Sequence, residues 1–327
     1  MPGVARLSRR AFLASAAACA LAPLVLPRGL RAAQPPAGTQ VPAVYRTTVG
    51  GMEVTALSDG WFDLSTELFP GADPAAVKAF QEGAFLPGGP LRTSLNTYAV
   101  NTGERLILID AGAGGVFGPT AGMLPKHMAA AGLDPAKVDL VVLTHMHPDH
   151  IGGVATAEGK PLFPNAELVV HEAEWAYWHD DAARAAVPDD VKAWFDGIRQ
   201  AAALYPKVRK VADGAEVVPG LTAVALPGHT PGHTGYRLTS EGETLLVWGD
   251  VVHAPVLQFA RPEWSIAFDV DADRARTTRE AILAEVADGR TLVAGMHLDF
   301  PGLGHVARGG EGGAAYTFVP VKWEHAL

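Results

Sequence analysis

Thiol chemistry is nearly missing from this 327-residue chain, whose single cysteine is Cys19. A lone thiol closes no disulfide within the chain. Cys19 also lies in an apolar N-terminal segment expected to be removed, which leaves the mature protein without a disulfide or a thiol nucleophile. Long apolar runs are missing too: residues 11–26 fall short of the ~20 unbroken apolar residues of a membrane-spanning helix, and Pro23 interrupts them. There is no surplus of basic charge, with 26 Lys and Arg against 35 Asp and Glu. Five arginines (Arg6, Arg9, Arg10, Arg28 and Arg31) fall in the N-terminal segment; without them 21 basic residues face 35 acidic ones, a formal charge near −14. Such a surface suits neither nucleic acid nor an anionic membrane. No internal repeat or low-complexity block stands out beyond the glycine-rich stretch 308–315, which reads as loop.

The N-terminus carries Ser8-Arg9-Arg10-Ala11-Phe12-Leu13 ahead of an Ala- and Leu-rich stretch, with no acidic residue in the first 33. This reads as a twin-arginine export signal over residues 1–33, cleaved after Ala33, and it predicts a periplasmic or secreted protein. Ala16 to Cys19 weakly imitates a lipoprotein site, but the apolar run continues past it, so no lipid anchor is expected. The remaining residues 34–327, in a chain that is 48% hydrophobic, are enough for one domain with a large core.

Punctuation by Pro and Gly gives the coarse organisation. Residues 35–42 read as a linker, and 43–57, 95–110, 138–143 and 166–170 as strands. Between the first two, 59–90 is a long excursion with one short helix over 73–82, Pro74 standing in its first turn. Further helices are expected over 124–131, over 172–205 with a break at Pro188, and over 273–287, ended by Gly289. Strands with helices between them imply two sheets covered outside by helices, an α+β arrangement.

What is abundant is histidine in one place. Residues 144–153, Thr-His-Met-His-Pro-Asp-His-Ile-Gly-Gly, put His145, His147, Asp149 and His150 within six positions, directly after an apolar run. Such a loop at the C-terminal end of a strand is where chemistry collects. His145 and His147, two apart, send their rings the same way in extended chain, while Asp149 and His150 turn toward a neighbouring point, which reads as two metal centres. His229 (LPGHTPGHTG), Asp250 (LLVWGD) and His297 (LVAGMHLDF) each follow a further apolar run. His233 and His253, close to these, are expected as supporting partners or packing groups; His171 and His305 as pocket or solvent residues; His127, His179 and His325 as surface residues.

In its His-x-His-x-Asp-His motif, the strand pair 96–112 ending at Asp110, and the order of these later motifs, the chain resembles the metallo-β-lactamase superfamily. That resemblance implies a four-layer αββα sandwich. It places one metal on His145, His147 and His229, the other on Asp149, His150 and His297, and Asp250 between them as a bridge. Imidazole and carboxylate without thiolate suit two Zn²⁺, with Mn²⁺, Co²⁺ or Fe²⁺ also compatible. Asp110 is read either as a carboxylate orienting the ligand loop or as a turn former. Two ions about 3.5 to 4 Å apart activate a bridging hydroxide as nucleophile, and Asp149 or Asp250 takes a proton as the intermediate collapses.

Asp250 stands where β-lactam-hydrolysing members usually carry cysteine or serine, which argues against that activity. Stretches 58–71, 249–259 and 297–305 resemble more narrowly methyl parathion hydrolase and its lactonase and arylesterase relatives. This implies a small neutral ester or lactone as substrate and a homodimer, with Phe117, Trp175, Trp194 and Phe268 lining an aromatic pocket. The function expected is a lactonase or arylesterase with promiscuous phosphotriesterase activity. The alternatives are a dedicated organophosphate hydrolase and a non-catalytic metal binder of the same fold.

Overall fold

The computed structural model describes residues 36–324; the export signal expected over residues 1–33 and His325 lie outside the described residues. Two seven-stranded sheets follow one another along the chain. Val44–Val49 (β1), Met52–Leu64 (β2), Leu91–Asn101 (β3) and Leu106–Ile109 (β4) pair antiparallel, and Leu140–Val142 (β5), Glu167–His171 (β6) and Val208–Val211 (β7) continue the sheet in parallel. The second sheet holds Glu216–Val218 (β8), Leu221–Ala225 (β9), Thr234–Ser240 (β10), Glu243–Val247 (β11), Leu292–Ala294 (β12), Leu303–Arg308 (β13) and Tyr316–Pro320 (β14), again in chain order. Its one parallel pair, β11 with β12, needs a crossover, which contains the longest described helix.

The helices are Pro74–Gly83 (α1), Leu124–Ala130 (α2), Pro148–Ile151 (α3), Glu172–Trp178 (α4), Asp181–Ala186 (α5), Asp189–Ala203 (α6), Pro255–Gln258 (α7) and Ala272–Gly289 (α8). Side-chain alternation sorts the layers. Ile107, Ile109, Leu140, Val142 and Val169 point inward and meet Leu221, Ala223, Tyr236, Leu238 and Val247 of the second sheet. Leu108, Val141, Leu143, Leu168 and Val170 point outward onto Trp178, Phe195, Ile198 and Ala202. On the far side Leu246, Trp248 and Val293 pack against Ile282, Leu283 and Val286 of α8. The result is helix, sheet, sheet, helix: the αββα sandwich.

Several element boundaries differ from the sequence reading. The strand expected over 43–57 is a hairpin, turned at Gly50 with φ 54, where a side chain would run into the Ser240 carbonyl. The stretch 95–110 is two strands rather than one, as the resemblance implied in reading 96–112 as a strand pair. The helical region 172–205 breaks at Pro188 and also before it, where Asp180 accepts from the Ala182 N–H and opens a new helix. Helix α8 runs through Gly289, and the left-handed residue that stops it is Arg290, φ 52. Most of the early excursion is ordered: β2 extends to Leu64, and Asp59 accepts from the N–H groups of Ala113, Gly122 and Leu124.

Candidate metal centre

Four connections carry the potential ligands: those leaving β5, β9, β11 and β12. Leaving β5, the chain is tied down by Asp110, which follows β4 in a left-handed conformation (φ 57). Its buried carboxylate takes the Thr144 N–H and hydroxyl, each at 2.7 Å, and lies 2.7 Å from His150 Nδ1. Asp110 is therefore both turn former and orienting carboxylate. It fixes one nitrogen of His150 and leaves Nε2 aimed into the cluster.

Three imidazoles converge first. His145 Nε2 lies 3.0 Å from His147 Nδ1, which lies 2.9 Å from His229 Nε2. The second group is Asp149, His150, Asp250 and His297. Asp149 Oδ2 is 3.4 Å from both His150 Nε2 and His297 Nε2, and Asp250 Oδ2 is 3.2 and 3.0 Å from the same two nitrogens. Asp250 Oδ2 also sits 3.6 Å from His145 Nε2 and 3.5 Å from His229 Nε2, so one carboxylate stands between the two groups. Each group has the residue types and closeness to hold a cation.

The donors fit a divalent metal on a second ground. Asp250 Oδ1 and His150 Nε2 are buried with no hydrogen-bond partner, which is costly for a polar atom unless something else takes its lone pair. Burial first, then neighbouring imidazoles, holds His145, His147 and His229 well below the ordinary histidine range, in the neutral form a metal needs. In the other group burial also lowers His150 and His297, but their carboxylate neighbours, led by Asp250, outweigh it and raise both. Those carboxylates are ionised in turn: burial opposes ionisation of Asp250, yet His150 and His297 hold it well below the usual range.

Residues remote in sequence brace this cluster. His229 Nδ1 lies 2.9 Å from Asp269 Oδ1. The loop carrying Asp269 is held by the buried Arg279 of α8, which donates to the carbonyls of Val251, Pro262 and Trp264. Glu174 of α4, fully buried, accepts from Met146 N–H and Trp178 Nε1 on one oxygen, and from the Thr230 hydroxyl and Gly232 N–H on the other. It thereby joins the loop of His145 and His147 to the loop of His229. None of these three appears among the sequence candidates. For Glu174 the available signal was an acidic residue on the apolar face of a helix, four positions before Trp178.

His233 braces Asp250: its Nε2 accepts the Asp250 N–H at 2.9 Å and its Nδ1 lies 2.7 Å from the Leu226 carbonyl. The first contact needs an unprotonated Nε2, the second an N–H on Nδ1, and burial pushes His233 down to about 4. The unfolded chain therefore takes up this proton first. The stability involved is complete above about pH 6.5 and lost as the pH falls to about 4, on the order of 3 kcal/mol in total. Urea denaturation of metal-free protein at stepped pH should show a shallower acid slope in His233→Asn than in wild type. Equal slopes would dismiss this role.

Above the donors lies a cavity of about 150 Å³, floored by His147, Asp149, His229, Asp250 and His297. Its walls include Phe62, Leu64, Leu68, Phe117, Trp194 and Phe268. Trp175, expected here, is elsewhere: it stacks on His179 at 3.8 Å with Lys210 near its ring. Helix α4 turns Glu174 and Trp178, four apart, inward, so Trp175 faces another way, and it is Trp178 whose ring lies 5.4 Å from His147. His253 borders the cavity, 3.2 Å from Asp250 Oδ2, with neither ring nitrogen hydrogen-bonded. His127 is not a surface residue: it is buried, with Nδ1 2.6 Å from the Ser58 carbonyl. His171 caps α4 by accepting the Ala173 N–H, and His305 is exposed.

A family model described as "Metallo-beta-lactamase superfamily" matches residues 92–297. A solved structure described as "hydrolase AbOPH in beta lactamase superfamily" is 34% identical, covers 88% of this chain and 100% of its own, and superposes with a TM-score of 0.82. AidC, described as a dizinc quorum-quenching lactonase in complex with a product, is 26% identical over 87% of this chain and 99% of its own, TM-score 0.81. The N-acyl homoserine lactonase AttM of Azorhizobium caulinodans is 36% identical over 129 residues, 36% of this chain and 43% of AttM. The chain spans about half the length of the curated relatives it matches.

Proposed function

The chain belongs to the metallo-beta-lactamase superfamily, and from that membership we propose that it is a dinuclear-metal hydrolase of lactones or aryl esters. The observation that carries this reading is the cavity over the donors, whose floor is imidazole and carboxylate and whose walls are aromatic and aliphatic. Among the described residues no Lys or Arg lines it, and Asp63 does. A multiply charged phosphomonoester would find no side-chain cation in those walls and only the bound ions as countercharge, whereas a neutral ester loses little on entering.

One Zn²⁺ would be held by His145, His147 and His229 and another by Asp149, His150 and His297, with Asp250 shared; Mn²⁺, Co²⁺ or Fe²⁺ would suit the same donors. When bound, such ions polarise a carbonyl oxygen and lower the pKa of water. The chain's own part is to seat the ester. Phe62, Phe117, Trp194 and Phe268 exclude water around the reacting carbonyl, and the carboxylate of Asp149 or Asp250 takes a proton as the intermediate collapses. AidC and AttM, both named as lactonases, support a lactone as substrate. The narrower likeness to methyl parathion hydrolase makes a neutral phosphotriester the second class, and walls without a cationic side chain suit it equally. The twin-arginine signal would place the enzyme in the periplasm or outside the cell.

The test is turnover by Zn²⁺-reconstituted protein on dihydrocoumarin, an N-acyl homoserine lactone, p-nitrophenyl acetate, methyl paraoxon and nitrocefin. Lactone or aryl ester turnover should exceed the triester at least ~10-fold in kcat/KM. Dominant triester turnover would make a dedicated organophosphate hydrolase of it. Two bound metals with no turnover would make it a metal binder.

A further inference from the structure

Strand β2 carries one residue more than its partner along the shared ladder. Ser58 lies opposite Asn96 and Gly60 opposite Leu95, so Asp59 is the extra residue of a β-bulge. Asp59 is fully buried, yet its carboxylate is held by backbone N–H groups rather than by a cationic side chain. Its Oδ2 accepts from Ala113 at 2.8 Å and from Gly122 at 3.1 Å, and its Oδ1 accepts from Leu124 at 2.9 Å. The Asp59 carbonyl takes the Met123 N–H at 2.9 Å.

Ala113 and Gly122 are the two feet of the loop between β4 and α2, and one oxygen holds both. A loop whose ends are brought together in this way, with its middle packed by its own side chains, is an Ω-loop. From residue 115 to residue 121 its hydrogen bonds, among the described residues, stay inside it: Val116 N–H to the Ala113 carbonyl and Ala121 N–H to the Gly118 carbonyl. The first foot has another tie, the Gly153 N–H on the Gly112 carbonyl at 2.9 Å. The second is held through Asp59, by its carboxylate and its carbonyl. Close approach makes glycine necessary here: a Cβ on Gly112 (φ 74) would run into the Asp59 carboxylate, and one on Gly60 (φ 128) into the Thr120 carbonyl.

What this loop carries is a wall of the metal cavity. Phe117, midway between the feet, lines the cavity and packs on Phe62 with ring centroids 5.4 Å apart, and Phe62 meets the His297 ring edge to face at 5.8 Å. Both phenylalanines rest on a small buried cluster of Leu95, Ala113 and Ala121. Ala113 is one foot and Ala121 adjoins the other, so the clasp and the packing under Phe117 are one piece.

We propose that Asp59 is a positioning residue for the metal cavity: by pinning both feet of the 113–122 loop it holds Phe117 against Phe62 over the donors. Asp59 does not itself line the cavity. Without the clasp the second foot comes free and Phe117 leaves the wall, while the donors, braced by Asp110 and Glu174, keep their places. The kinetic consequence rests on the ester-hydrolase reading above; the clasp itself is read on the protein alone. An apolar wall supplies binding that is equal in ground and transition states, so its loss should raise KM and change kcat little.

Asp59→Asn keeps the shape but offers one oxygen to donors that occupy two. Phe117→Ala removes the wall directly, and the double variant closes the cycle. On the best substrate of the panel above, each single variant should raise KM about 10-fold with kcat within about threefold, and the double variant should stay near the same 10-fold, because both changes remove one contact. Metal content should equal that of wild type. Hydrogen exchange in residues 113–122 should quicken at least ~10-fold in Asp59→Asn, while residues 144–153 keep wild-type rates. KM effects that multiply to about 100-fold in the double variant, or faster exchange spread evenly over the chain, overturn the positioning role.

Should Asp59→Asn fail to fold, wild type decides alone. The amides of Ala113, Gly122 and Leu124 should then exchange as slowly as those of β3, and fast exchange at all three overturns the clasp. Absence of hydrolysis by wild type removes the ester reading, and the exchange measurement still decides the clasp.

Discussion

Asp250→Ala should cost on the order of 10³-fold or more in kcat/KM and at least one equivalent of bound metal. One oxygen of this side chain lies 3.0 to 3.6 Å from ring nitrogens of His145, His150, His229 and His297, so it serves both donor groups at once. No other carboxylate in the cluster is placed to do this: Asp149 Oδ2 reaches only His150 and His297. Without Asp250 each group is left with three side chains and no shared anion, so the loss should exceed that from removing any one imidazole. Elemental analysis beside steady-state kinetics checks it, and Asp250→Asn, which keeps the shape and removes the charge, should fall nearly as far. Wild-type metal content in the alanine variant would dismiss the shared role.

Glu174→Gln should be the most damaging change outside the donors themselves. Four donors converge on this carboxylate from two ligand loops and its own helix, and nothing accepts from it. An amide offers one oxygen where two are needed and sets an N–H₂ against donors, leaving buried polar groups unpaired at about 1–3 kcal/mol each. Burial raises the carboxyl, and these four hydrogen bonds work to bring it back. We expect about 3 kcal/mol less stability, and metal affinity at His145, His147 and His229 weakened about 10- to 100-fold. The group around Asp149, His150 and His297, braced by Asp110 and the Ser94 carbonyl instead, should hold its affinity. Thermal denaturation and a two-step metal titration separate these effects; equal weakening of both steps would argue for a general loss of structure.

The readable part of the fold was its alternation. Ile107, Leu108 and Ile109, or Val141 and Val142, announce strands buried on both faces, and two such faces per strand force a covering of helices. Turns were harder. Gly50 and Gly51 lie inside a mostly apolar, β-prone stretch; the left-handed φ of Gly50 makes the bend, and Ser240 of the other sheet, 190 residues away in sequence, leaves no room there for a side chain. The break at Asp180 was similarly masked, since an aspartate after a helical run reads equally well as a surface residue.

By itself the sequence determined the chemical inventory: imidazoles and carboxylates at the ends of apolar strands, a single cysteine, an excess of acidic over basic residues. These follow from residue type and short-range spacing. Tertiary structure alone decided which groups brace the donors and which wall the cavity. Glu174 meets Met146 and Thr230 across 28 and 56 residues, and Asp269 meets His229 across 40. Trp175 and Trp178 are equally aromatic, and only the rotation of α4 brings the second beside His147 and turns the first away. Local pattern fixes what a residue can do; packing, which is non-directional and set by every element at once, fixes what it is next to.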